Sequence, residues 1–151
     1  MTNKIKIAGI FSLIAVFAMA FVPAGNTGNG SKLNYFEGTY EEAVALAKKE
    51  DKLLFMDAYT SWCGWCKELD KRTFSNKNLA DYMNSHFVIL KMDMESTAGV
   101  PLAKKFNVNA YPTLLFINEK EKVSHRIEGF LEAKEMLEEV KLAQKKFEKS
   151  K

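Results

Sequence analysis

Cys63 and Cys66 are the only cysteines in the chain, and two residues separate them in the run Trp62-Cys63-Gly64-Trp65-Cys66-Lys67. A sulfur pair at this spacing can cycle between dithiol and disulfide, ligate a metal, anchor a haem or close an inert loop. A structural zinc needs four ligands, and beyond the pair the chain offers only His86 and His125. Haem attachment needs a histidine directly after the second cysteine, and position 67 is Lys67. A bridge closing so small a loop adds little stability, so an inert disulfide stands as the bland alternative to redox chemistry. If a helix opens at this motif directly after a buried strand, the Cys63 sulfur is exposed at the helix N-terminus. Unpaired N–H groups and the helix dipole favour a thiolate there, which makes Cys63 the nucleophile. Cys66, one turn on, faces the same side and can resolve a mixed disulfide formed at Cys63.

The elements that must hold this pair are legible on both sides of it. Thr39-x-x-Glu42 has the form of a capping box, and Tyr40, Ala43, Val44 and Ala47 follow at helical spacing, which predicts a helix ending near Glu50. Leu53 to Tyr59 is a short apolar run suited to a central strand covered on both faces. It contains one acid, Asp57. A carboxyl buried there has its pKa raised by desolvation, whereas one exposed or satisfied at the strand end does not. Helical pattern runs from Cys63 to about Phe74 and again from Asn78 to Phe87. Val88 to Met92 reads as a second strand, Pro101 to Phe106 as a helix opened by its proline, Thr113 to Ile117 as a third strand and Val123 to Ile127 as a fourth. Ala133, Met136, Leu137, Val140 and Phe147 place one apolar stripe on a closing helix. This order predicts an α/β domain, a central mixed β-sheet flanked by helices.

At 151 residues and 47% hydrophobic content the chain has material for one domain. The formal net charge of +3 is too small and too dispersed for a nucleic-acid partner. Lys4 and Lys6 precede 16 uncharged residues, Ile7 to Val22, with small residues at Ala18-x-Ala20 and Val22-x-Ala24. That is the form of a secretory signal over residues 1–24, cleaved after Ala20 or Ala24; an uncleaved membrane anchor is the alternative, although the run falls short of the roughly 20 residues a spanning helix needs. Removing Lys4 and Lys6 lowers the 22 basic residues to 20, against 19 acidic. Gly25 to Ser31 reads as a linker, leaving residues 32–151 as the folded domain. Export implies a periplasmic or otherwise extracytoplasmic protein, where no glutathione pool keeps thiols reduced and a working pair must be recharged by a partner.

The chain resembles the thioredoxin family from about Thr39 to Val140. The resemblance rests on the strand ending in Asp57, the Trp62-Cys63-x-x-Cys66-Lys67 motif six residues on, Tyr111-Pro112-Thr113 entering a late strand, and Gly129 before the last helix. Thr73-Phe74-Ser75 makes it most similar to exported thioredoxin-like modules, among them the C-terminal modules of thiol:disulfide interchange proteins. The resemblance implies a thioredoxin-like fold and a thiol:disulfide oxidoreductase, with reduction or interchange preferred over oxidation. It implies a cis peptide bond before Pro112, where the residues alone favour an ordinary trans bond, and hence a backbone at Tyr111 open to an extended substrate. It implies that Asp57 takes the proton of Cys66, and that a lysine on the neighbouring strand tunes this acid. Lys91 is the only lysine on Val88 to Met92, but its register is not readable, so the expected site stays at Cys63, Cys66 and Asp57, with Trp62, Tyr111 and Pro112 for substrate. Trp62 is compatible with a cover over Cys63 and with an exposed lip for partners. Gly64-Trp65 departs from the family's common intervening pairs, so the redox poise stays open across about −270 to −120 mV. Expected partners are protein disulfides and a membrane or periplasmic thiol donor. No cofactor, metal or nucleic acid is expected, and the chain is expected to act as a monomer. A non-enzymatic module binding partners through Trp62, Tyr111 and Pro112 is the competing reading.

Overall fold

The computed structural model describes residues 32–151; the expected signal and linker lie outside the described residues. Thr39 caps helix α1 (Tyr40–Lys49) through the capping box, its hydroxyl accepting from the Glu42 N–H while the Glu42 carboxylate accepts from the Thr39 N–H. Strand β1 (Leu53–Tyr59) leads to helix α2 (Gly64–Glu68), which widens into a π-helical turn (Leu69–Thr73). Helix α3 (Lys77–His86), capped by Asn76, runs directly into strand β2 (Phe87–Asp93). Helix α4 (Gly99–Lys105), the hairpin strands β3 (Thr113–Ile117) and β4 (Val123–Glu128), and helix α5 (Ala133–Lys149) complete the chain.

The strands form one sheet in the order β2-β1-β3-β4, with β1 and β2 parallel and the remaining pairs antiparallel. This is the mixed α/β arrangement read from the sequence. Because strand side chains alternate between faces, the sheet feeds two cores. Leu53, Phe55, Ile89, Leu114 and Phe116 pack against α3, α5 and the π-helical turn. Leu54, Met56, Leu90, Leu115 and Ile117 pack against α1 and α4. Burial on both faces explains why β1 and β3 read as unbroken apolar runs rather than alternating ones. The outer edge of β2 is met by the segment before α1, where Tyr35 bridges to Ile89 and the Phe36 N–H donates to the Ile89 carbonyl at 2.7 Å.

Two local readings change. The stretch from Cys63 to Phe74 is not one uniform α-helix. At its end the Phe74 N–H reaches the Leu69 carbonyl five residues back, a π-type bond. Helix α4 begins at Gly99, so Pro101 is its third residue rather than its first; its missing N–H still falls among those that a first turn leaves unpaired.

The turn from Asp93 to Gly99 fixes one wall of the site described below. Ser96 donates its hydroxyl to the Asp93 carbonyl, and the Gly99 N–H donates back to Ser96. A Cβ at position 99 would overlap the Asp93 carbonyl oxygen, so only glycine closes this turn. Gly99→Ala is expected to cost about 1–3 kcal/mol in urea unfolding, as other overpacked sites do. It should also shift the fluorescence of Trp62, whose partner Glu95 sits in this turn; an unchanged midpoint would contradict the reading.

Candidate active site

Strand β1 ends at Tyr59, and a short turn closed by the Cys63 N–H donating to the Thr60 carbonyl (3.1 Å) brings Cys63 to the N-cap of α2. Its Sγ accepts from the Cys66 N–H at 3.1 Å, and the two cysteines are joined in a disulfide with Cα atoms 5.3 Å apart. Capping places the Cys63 sulfur among the first N–H groups of the helix, where negative charge is favoured. The expected exposure of that sulfur is corrected: Cys63 and Cys66 are each only 4% exposed. The sulfurs turn toward each other and toward the helix backbone, while the flanking indoles of Trp62 and Trp65 stand in solvent at 65% and 60% exposure.

Each indole is steadied by a different loop. Trp62 donates its Nε1–H to Glu95 Oε1 at 2.9 Å and meets the Tyr111 ring edge-on, with centroids 5.9 Å apart. It is an exposed ring held in place from two sides. The Tyr111–Pro112 peptide bond is cis. Pro112 is buried, and its carbonyl accepts from the Gly129 N–H at 2.9 Å, tying this loop to the start of the α5 connection. Trp65 lies 5.5 Å from the Phe130 ring, with the Arg72 guanidinium over the same ring. Arg72 in turn pairs with Glu132.

Asp57, 1% exposed, lies on the sheet face that carries Leu53 and Phe55, the face the π-helical turn packs against. The parallel register sets Lys91 of β2 directly beside it, with Nζ 3.2 Å from Asp57 Oδ2, while Asp57 Oδ1 has no hydrogen-bond partner. Burial pushes the Asp57 carboxyl up to about 6; the Lys91 ammonium pulls it back only in part, and Asp70 raises it further. Lys91 also donates to both carboxylate oxygens of Asp70 at 2.6 Å, and its ammonium lies over the rings of Tyr35 and Tyr59. Burial opposes the Lys91 charge, but the two carboxylates outweigh it and hold the lysine protonated. Tyr35 donates its hydroxyl to Asp70, and burial together with the acids at 57 and 70 pushes that phenol well above its usual range.

The structure thus brings Cys63, Cys66, Trp62, Tyr111 and Pro112 to one end of the sheet and adds residues absent from the expected site. Lys91 becomes identifiable once the β1–β2 register is known. Asp70 carried a readable signal, since it lies four residues after Cys66 and so shares its helical side. Glu95 and Phe130 left no sequence signal. His86 stacks on Tyr82 and His125 pairs with Glu139, both away from the cysteines. Among the described residues no cluster of three or more His, Cys, Asp or Glu side chains is arranged to hold a metal, and no helix is long and apolar enough to cross a membrane.

A raised acid carries a stability signature. Asp57 has its ordinary value near 3.8 when unfolded and about 6 when folded. The folded state therefore binds the extra proton between these values, and its stability is highest below them and falls as pH rises through about 6. Asp57→Asn, which mimics the neutral acid, is expected to be more stable than the parent chain at pH 7, by at most on the order of 3 kcal/mol. The gain should vanish near pH 4 in denaturant titrations at the two pH values; an equal gain at both would refute the ionisation account.

A family model described as Thioredox_DsbH, protein of unknown function, DUF255, matches residues 33–111. The thiol:disulfide interchange protein DsbD of Actinobacillus pleuropneumoniae serotype 5b is 34% identical over 88% of this chain, and the alignment covers 26% of that protein. The chain thus spans about a quarter or less of the length of the curated relatives it matches. The solution structure of a candidate disulphide-isomerase from Bacteroides thetaiotaomicron is 50% identical, with a TM-score of 0.68 and coverage of 76% of this chain and 94% of that one. The oxidised C-terminal domain of Neisseria meningitidis DsbD shares the fold at 22% identity and a TM-score of 0.59, over 68% of this chain and 91% of that domain.

Proposed function

The chain belongs to the thioredoxin family, in its DsbH-like branch, and from that membership we propose that it is a thiol:disulfide oxidoreductase acting on protein disulfides through Cys63 and Cys66. The observation that carries the reading is a bonded cysteine pair at the head of α2, six residues after a buried acid on β1 whose pKa is raised to about 6.

In the reducing direction, the Cys63 thiolate attacks one sulfur of a substrate disulfide, the S–S bond breaks, and one substrate thiolate leaves. Asp57, as carboxylate, takes the proton of Cys66. The Cys66 thiolate then attacks Cys63 Sγ, expelling the second substrate thiolate and leaving the Cys63–Cys66 disulfide. Two electrons have passed to the substrate, and a thiol donor must return them. The extended substrate chain lies along the Tyr111 backbone exposed by the cis bond, with Trp62 as a lip beside it. An extracytoplasmic location, with a membrane or periplasmic thiol donor, suits a chain whose thiols are not kept reduced by glutathione.

Cys63→Ser is expected to abolish reduction of insulin disulfides, and an unchanged rate would overturn the reading. Cys66→Ser should accumulate the mixed disulfide at Cys63, visible as a mass adduct. Asp57→Asn should slow release of that adduct by about 10²-fold or more, the usual contribution of a positioned base. In the parent chain the release rate should fall as pH drops below about 6, where Asp57 is already protonated.

A further inference from the structure

Lys91 stands between two carboxylates of unequal exposure. Asp57 lies inside, with Oδ2 3.2 Å from the ammonium. Asp70 lies at the surface on the π-helical turn and receives the shorter contacts, 2.6 Å to each oxygen. Tyr35 donates to Asp70 from the opposite side at 3.4 Å. The rings of Tyr35 and Tyr59 lie 5.5 and 5.0 Å from the ammonium, which restricts its sideways movement. The open pocket that Lys91, Asp70 and Tyr35 line, together with Lys32 and Ser75, gives this outer group access to water. The buried acid is left with one unpartnered oxygen and a shared cation.

We infer that Asp70 is a positioning residue of the redox centre: it draws Lys91 toward the surface and so leaves Asp57 incompletely paired and able to accept the Cys66 proton, an inference that rests on the role proposed for Asp57. A carboxylate fully paired with an ammonium in a buried site is a poor base, because the cation holds it ionised and each such pairing lowers a carboxyl by about 1–3 pH units. Asp70 opposes that pairing in two ways, by competing for the ammonium and by its own negative charge. The titratable groups that touch the Asp57–Lys91 pair are Tyr35 from the segment before α1, Tyr59 on β1 and Asp70 on the π-helical turn; β3 presents only Leu114. Cys66 does not titrate while bonded, so in the disulfide form the acids and the lysine alone govern the behaviour of Asp57.

The test is a titration of the Asp57 carboxyl, followed by carbon-13 NMR in the disulfide form of the full chain. Asp70→Asn is expected to move the midpoint to lower pH by about one unit, and Asp70→Glu to restore most of the parent value. An unmoved midpoint in Asp70→Asn would overturn the inference. Introduced into a Lys91→Gln background, Asp70→Asn should shift the midpoint by less than half as much. An undiminished shift would mean that Asp70 acts by repulsion alone, and the positioning role would fall. Both substitutions lie on partly exposed side chains, and retention of the folded spectrum is read in the same experiment. Because no turnover is needed, the result stands apart from the Cys63→Ser assay, which alone decides whether the chain reduces protein disulfides.

Discussion

An acid in the middle strand of a sheet, shut away from water, is the constraint around which the site is arranged. β1 has apolar neighbours on both faces, and every residue from Leu53 to Ala58 is buried. Asp57 breaks that run two residues before the strand ends, shortly ahead of the cysteine-bearing helix. Its ionised form is disfavoured by burial, and the parallel pairing with β2 supplies one lysine in response. A dedicated partner would hold the acid ionised; here the one lysine is shared with Asp70. The π-helical turn, which carries Asp70, is therefore part of the electrostatics of the centre as well as a feature of its backbone.

The reactive pair itself has little freedom. The Cys63 sulfur caps α2, the cis bond and the Gly129 contact fix the loop at Pro112, and Glu95 fixes the indole of Trp62. These supports come from three separate connections: the β2–α4 turn, the α4–β3 loop and the segment before α5. The connections shape the surround of the disulfide, while the sheet holds the buried acid. The two indoles on either side of the disulfide are exposed although the sulfurs between them are not. Aromatic surface thus stands outermost here, with the sulfurs behind it.

Much of this was readable from residue types and spacing. The α1 cap, the four strands and the α5 stripe follow from local chemistry and periodicity, which tertiary contacts here reinforce. Cys63 and Cys66 were visible from residue type and spacing; the residues alone left Asp57 open and favoured a trans bond before Pro112, and the family resemblance pointed to both. Lys91 was not placed, since the register between β1 and β2 is set by α2, the π-helical turn and α3, whose combined length permits more than one alignment. The widened turn at Leu69–Thr73 was not visible, since a single π-type turn inside a helix leaves no periodicity of its own to read. Helical spacing put the Cys63 sulfur at a helix end correctly, but says nothing of its exposure, which depends on where the sulfur turns.

The bridge from Tyr35 to Ile89 has a bearing beyond the site. A sheet with open flanks invites strand addition by copies of itself. Here one flank is occupied by the segment before α1, and the other, β4, pairs with β3 through a register shift opposite Phe116/Ile117 and carries Arg126 and Glu128. With both sheet edges guarded in this way, crowding of the chain with its siblings carries little risk of intermolecular zippering.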